Sequence, residues 1–118
     1  GCLEPENRGL TSFGMQVVRE CNRLGVLVDC SHVGERTTLD AVKESTRPIV
    51  ISHTAVRAIT ENPRCVTDEM MKAVADKGGT IGITTFSPFI RRDRHAGIET
   101  DLPVVQRTGH LVAIHDAL

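Results

Sequence analysis

Residues 26–32 read VLVDCSH, and residues 48–53 read PIVISH. Each is a short apolar run that ends in Ser-His. A run of this kind without polar alternation is the signature of a strand buried on both faces, as in a parallel sheet. The reading of the flanking sequence follows from these two strands. Between them, GERTTLDAVKES (34–45) has a narrow apolar face of Leu39 and Val42 and reads as a helix, ended by Pro48. Ahead of them, LTSFGMQVVRECNRLG (10–25) reads as a helix capped by Thr11 or Ser12. Phe13, Val17, Val18, Cys21 and Leu24 fall on one face, and Gly25 serves as a left-handed C-terminal cap.

Beyond the second strand, residues 54–66 contain Pro63 and Arg64 and read as a turn and a loop. Thr67 then caps a third helix, DEMMKAVADKG, with Asp68 and Glu69 in its first turn and Gly78 after its end. GTIGITTF (79–86) is a third strand, and residues 101–116 carry a weak helical pattern. Strands alternating with helices define an α/β chain with a parallel sheet and helices outside it. Neither a solenoid repeat nor a low-complexity segment interrupts this rhythm.

Composition narrows the function classes. The chain has 118 residues, 40% hydrophobic and 25% charged, which is ordinary for a globular domain. A net charge of -1 and a sequence pI near 6.6 argue against a nucleic-acid or anionic-membrane surface. The basic cluster Arg91, Arg92 and Arg94 is broken by Asp93 and followed by His95, and reads as a solvated loop. Cys2, Cys21, Cys30 and Cys65 form no C-x-x-C pair, so reduced thiols and a cytoplasmic setting are expected. No apolar run reaches the length of a membrane span. The opening GCLEPENRG has neither an initiator Met nor a secretory signal, and reads as the interior of a longer chain.

In parallel α/β folds, active groups gather at the carboxyl ends of the strands. His32 and His53 both stand there, on consecutive units. Counting inward positions in twos aligns His32 with Cys30 and Val28, and His53 with Ile51 and Ile49. Neighbouring strands are about 4.8 Å apart, close enough for two imidazoles to share one ion. A lone His on an apolar face is more often a satisfied core residue; the matched pair is what favours a metal. Two histidines do not complete a catalytic zinc site, which takes three protein ligands and a water. His95 lies in a charged loop, and His110 and His115 are off-register for one helix face, so none of the three supplies the missing ligand. Asp29 reads as a loop-orienting or outer-shell group. Ser31 and Ser52 lack a G-x-S-x-G setting, and Gly78-Gly79 is a helix stop rather than a phosphate loop.

The runs GLTSFGMQVVRECNRLGVLVDCSHVGERT, RPIVISHTAVRAI and NPRCVTDEMMKAVADKGGTIGI resemble the middle of a membrane (renal) dipeptidase family protein. The motif pair L-V-D-x-S-H and I-x-S-H, at this spacing, carries the resemblance over about residues 9–90. It implies a TIM-like (β/α)₈ barrel, of which residues 1–118 would be a central segment of about three βα units. A full barrel needs about 250 residues. It implies zinc as the cofactor: two ions bridged by a glutamate in the complete enzyme, with His32 and His53 as ligands of one. It also implies that Arg64, in the NPR stretch, holds the terminal carboxylate of a dipeptide substrate. A guanidinium fork suits that task. The implied reaction is hydrolysis of a dipeptide by metal-activated water.

The resemblance also implies what is missing. The family's upstream H-x-D ligands, bridging glutamate and a further histidine, and its downstream D-F-D-G aspartate, are absent from this sequence. Where many relatives carry a substrate-binding tyrosine after the third strand, this chain has Phe86, which keeps the ring and loses the hydroxyl. The expectation is therefore a dipeptidase segment inactive alone, with a small dipeptide as partner and a homo-oligomer as a possible way to cover open strand edges. The alternatives are another metal-dependent amidohydrolase on the same barrel, or a non-catalytic α/β segment.

Overall fold

The computed structural model describes residues 1–84, Phe86 and residues 112–115. Its elements run α1 (Ser12–Leu24), α2 (Glu35–Glu44), β1 (Val50–Thr54), α3 (Asp68–Asp76), β2 (Thr80–Thr84) and β3 (Val112–His115). The caps follow from the residue chemistry. Thr11, not Ser12, starts α1, its hydroxyl accepting the Gly14 amide at 3.1 Å. Gly25 closes α1 at φ 74°, a left-handed conformation that a side chain disfavours. Thr67 caps α3 by accepting the Met70 amide at 3.2 Å.

The three strands pair in parallel in the order β1-β2-β3. On the other edge of β1, Val28–Cys30 add a short pairing: the Val50 amide donates to Val28 O at 3.0 Å, and the Cys30 amide to Val50 O at 2.8 Å. Consecutive parallel neighbours thus give the α/β arrangement expected, as an open sheet. Closure into a barrel lies beyond the described residues.

Ile51, Ile81 and Ile83 from the strands, with Ile49 just before β1, meet Ala41 and Val42 of α2 and Met70, Met71 and Val74 of α3 in one buried cluster. Val56 and Val66 join it from the segment after β1, where the Val66 amide donates to Ala55 O and the Arg57 amide to Val66 O, both at 2.9 Å. These bonds close residues 57–65 into a compact loop.

Three expectations are corrected. The run 26–29 is not a full strand: Val26 and Leu27 are exposed, and only its end pairs. The face of α1 is misread too, because Phe13, Val17 and Leu24 are exposed while Val18 and Asn22 are buried. Asn22 decides that orientation. Its Oδ1 accepts Ser45 Oγ (3.1 Å), the Thr46 amide (2.6 Å) and Thr46 Oγ1 (2.8 Å), tying α1 to the turn after α2. Finally, residues 112–115 form a strand, not part of a weak helix; pairing of Val112, Ala113 and Ile114 with Ile81–Ile83 overrides local preference. The Arg91–His95 cluster and His110 lie outside the described residues.

One irregularity shapes the sheet. Ile51 pairs with Ile81 and Thr54 with Ile83, so β1 spends one more residue than β2 over the same span. This is a β-bulge at Ser52-His53, a device that re-aims side chains. Gly82 faces it, and a Cβ there would stand 2.1 Å from Ser52 O.

Two outcomes are expected. Gly82→Ala should lower unfolding stability by about 1–3 kcal/mol, because its methyl must displace backbone. Asn22→Ala should cost a similar amount, about 1–3 kcal/mol, by stranding its donors. Denaturant unfolding of each variant measures both.

Candidate metal centre

The two histidines leave their strands by different routes and end face to face. His53 is carried on the bulge of β1. His32 stands in the turn after Val28–Cys30 with φ 62°, the sole non-glycine residue with positive φ among those described. Left-handed backbone costs a non-glycine residue about 1–2 kcal/mol, and such outliers gather at functional sites. The turn is braced by the Cys2 amide, which donates to His32 O at 3.0 Å. Simple strand alternation therefore does not place His32; a turn does.

The result is an Nε2–Nε2 separation of 2.8 Å, with ring centroids 4.9 Å apart and the planes at 61°. His32 is exposed and His53 half-buried. Two nitrogens on one tetrahedral zinc, each at 2.0–2.1 Å, are roughly 3.3 Å apart. An opening of about half an ångström adapts this pair to a shared ion, and the neutral imidazole donor set suits zinc. Among the described residues no cluster of three or more His, Cys, Asp or Glu groups surrounds it. The pair by itself falls short of the three protein ligands of a catalytic zinc.

Asp29 organises the approach. Its Oδ1 accepts the Ser31 amide at 2.8 Å and the Ser52 amide at 3.1 Å, joining the ends of both strands through one oxygen. Burial pushes its carboxyl upward, but hydrogen bonds from the side chains and amides of Ser52 and Ser31 outweigh that and hold it below the ordinary carboxylate range. With a folded pKa below the unfolded one, Asp29 adds stability above about pH 3.9 that is lost as pH falls through the folded value.

Arg64 comes from the closed loop 57–65. Its amide donates to Asn62 Oδ1 at 2.9 Å, and its carbonyl accepts Thr54 Oγ1 at 2.8 Å, fixing its backbone against β1. Arg64 and His32 line one small recess with Ser31, Pro63 and Cys65. Burial, then the charges of Arg64 and His53, hold the His32 imidazole below its usual pKa, against an opposing pull from Asp29. Cys30 lines the same recess, but burial, with Asp29 beside it, pushes its thiol up to about 11. With no metal beside it, it stays protonated at neutral pH. Phe86 stands beyond the end of β2, half exposed. A larger cleft of about 460 Å³, lined by Glu4, Glu6, Arg8, Glu35 and Arg57, opens elsewhere and excludes both histidines.

Sequence reasoning missed Ser31, Ser52, Asn62 and Thr54. Asn62 was accessible to it, since Asn before Pro is a turn signal. The serine hydroxyls were not, because their role depends on two strand ends meeting.

The site, then, is a parallel α/β sheet that presents paired histidines at its carboxyl edge. The model of the membrane dipeptidase family, peptidase family M19, matches residues 1–114, and the chain belongs to that family. It is 36% identical over 86 residues to an uncharacterised dipeptidase of Schizosaccharomyces pombe, covering 73% of this chain and 21% of that protein. A crystal structure of an amidohydrolase from Pseudomonas aeruginosa matches with a TM-score of 0.87 and 36% identity, covering 98% of this chain and 37% of the other. A metallopeptidase from Rhodobacter sphaeroides, solved with a phosphinate mimic of the dipeptide L-Ala-D-Ala, matches at 0.83 and 31%, covering 92% and 33%. The chain thus spans between a fifth and about two fifths of these relatives' lengths.

Because Arg64 depresses the His32 pKa, Arg64→Ala should raise it. An NMR titration of the metal-free protein reads this directly; an unmoved His32 would mean that the guanidinium does not act on the imidazole.

Proposed function

We propose that this chain supplies part of the metal site and the substrate anchor of a zinc-dependent dipeptidase. The observation that carries the reading is the facing of His32 and His53 at 2.8 Å on adjacent strand ends, with Arg64 lining the same recess as His32. Family membership supplies the hydrolytic class. The metallopeptidase with a dipeptide mimic supports a dipeptide as substrate. In this reading the remaining ligands and the second ion of a complete enzyme come from residues outside this sequence, and the chain alone is inactive.

When bound, zinc supplies Lewis acidity and a water acidic enough to act as nucleophile near neutral pH. The chain's own residues do the rest of what is assigned to them. His32 and His53 would hold the ion through Nε2. Arg64 takes the free carboxylate of the substrate in a two-pronged, charge-assisted contact, fixing where the peptide bond lies. Phe86 offers an aromatic wall and no hydroxyl, so carboxylate recognition falls on Arg64 among the described residues. A cytoplasmic setting belongs to the same proposal, consistent with four cysteines that form no disulfide.

A second reading, hydrolysis of another small amide, draws on Phe86 and on the match to an amidohydrolase. Substrates separate the two. In the full-length protein, His53→Ala should abolish bound zinc and dipeptide hydrolysis together. Arg64→Ala should lower kcat/KM by about 10–100-fold for dipeptides with a free carboxylate, the loss expected of a charged hydrogen bond. It should leave C-terminally amidated substrates unaffected. Equal cleavage of amidated and free dipeptides by the wild type would favour the second reading.

A further inference from the structure

Between Asp29 and His53 lies a continuous line of hydroxyls. Ser52 Oγ is 2.9 Å from His53 Nδ1 and 3.0 Å from Ser31 Oγ. Ser31 Oγ accepts the His53 amide at 3.1 Å. Asp29 binds the amides of both serines and also interacts with both hydroxyls. Each serine is half-buried, and the bulge in β1 brings Ser52 over Ser31.

The donors and acceptors give this line a direction. A hydroxyl has one proton to give, and an ionised carboxylate has none. The Ser31 hydroxyl proton therefore turns toward Asp29, the Ser52 hydroxyl proton toward Ser31 Oγ, and Ser52 Oγ is left to accept from His53 Nδ1. The ring proton then resides on Nδ1, and the Nε2 lone pair faces His32. The opposite direction would turn the hydroxyl protons away from the carboxylate, leaving it only the two amides, and put the ring proton on Nε2, where a metal must bind. In general, the hydrogen bond made by one ring nitrogen sets which nitrogen is free for a metal.

We propose that Asp29, Ser31 and Ser52 form a relay that selects the Nδ1-protonated tautomer of His53, with Ser52 as the positioning residue that readies Nε2 for the ion. The proposal rests on reading His53 as a ligand. Its logic is that of the carboxylate–histidine–metal arrangement, with two hydroxyls inserted between carboxylate and ring.

The test is zinc affinity of the full-length protein by chelator competition, with thermal unfolding alongside. Ser52→Ala should weaken binding about 10–100-fold without loss of fold. Ser52→Thr, which keeps the hydroxyl on a residue suited to strands, should restore most of it. Asp29→Asn still accepts the two amides but can donate to the hydroxyls, and should weaken binding like Ser52→Ala. In metal-free wild type labelled with ¹⁵N-histidine, His53 Nδ1 should show the shift of a protonated nitrogen. An unprotonated Nδ1 overturns the relay whatever the variants do. So does a Ser52→Ala affinity within twofold of wild type, or a Ser52→Thr that fails to rescue, while His53→Ala still abolishes binding; in those cases the ligand reading survives. Unchanged affinity in His53→Ala overturns both.

Discussion

One carboxylate oxygen holds the ends of two strands together. Asp29 Oδ1 takes the amide of Ser31, two residues on, and that of Ser52, on the neighbouring strand. The first bond makes the tight turn in which His32 can adopt a left-handed backbone. The second fixes the bulge on which His53 rides. Neither bond belongs to the regular parallel ladder. Without such a bridge the two histidines would be set by loops free to drift, and a separation of 2.8 Å between ring nitrogens demands more than proximity.

The sheet makes this possible through an omission. Gly82 has no side chain where Ser52 O approaches β2, so the extra residue of the bulge is accommodated toward β2 rather than pushed outward. The core isoleucines on either side keep the two strands in contact. Packing therefore fixes the strands, glycine admits the irregularity, and the irregularity aims the side chain.

Much of this was legible beforehand. The apolar run ending in Ser52-His53 announced a parallel strand, and Thr67, Gly25 and Gly78 announced helix ends; each rests on local chemistry that sequence displays. The resemblance to the dipeptidase family rested on the two runs ending in Ser-His, and the family match bears it out. What resisted reading depended on distant partners. The exposed Phe13 and Val17 look like core by periodicity, yet Asn22 orients α1 through Ser45 and Thr46. The strand at 112–115 is weak by local pattern and is settled by pairing with β2. Alternation placed His32 on an inward face, whereas a left-handed turn positions it. Ser31 and Ser52 looked inert because hydroxyls acquire a role only when topology brings them within 3.0 Å.

The loop closed by the Ala55–Val66 and Val66–Arg57 bonds has a further consequence. The histidines are delivered by strand ends, while Arg64 is delivered by a separate, self-contained excursion between β1 and α3. Arg64 and His32 share a recess, yet they come from separate stretches of chain. Residues 57–65 touch the histidine side through only a few links, the Thr54 hydroxyl on Arg64 O and the Arg64 charge beside His32 among them. On the function proposed here, a lineage built on this plan would alter what it recognises through one segment and how it reacts through another.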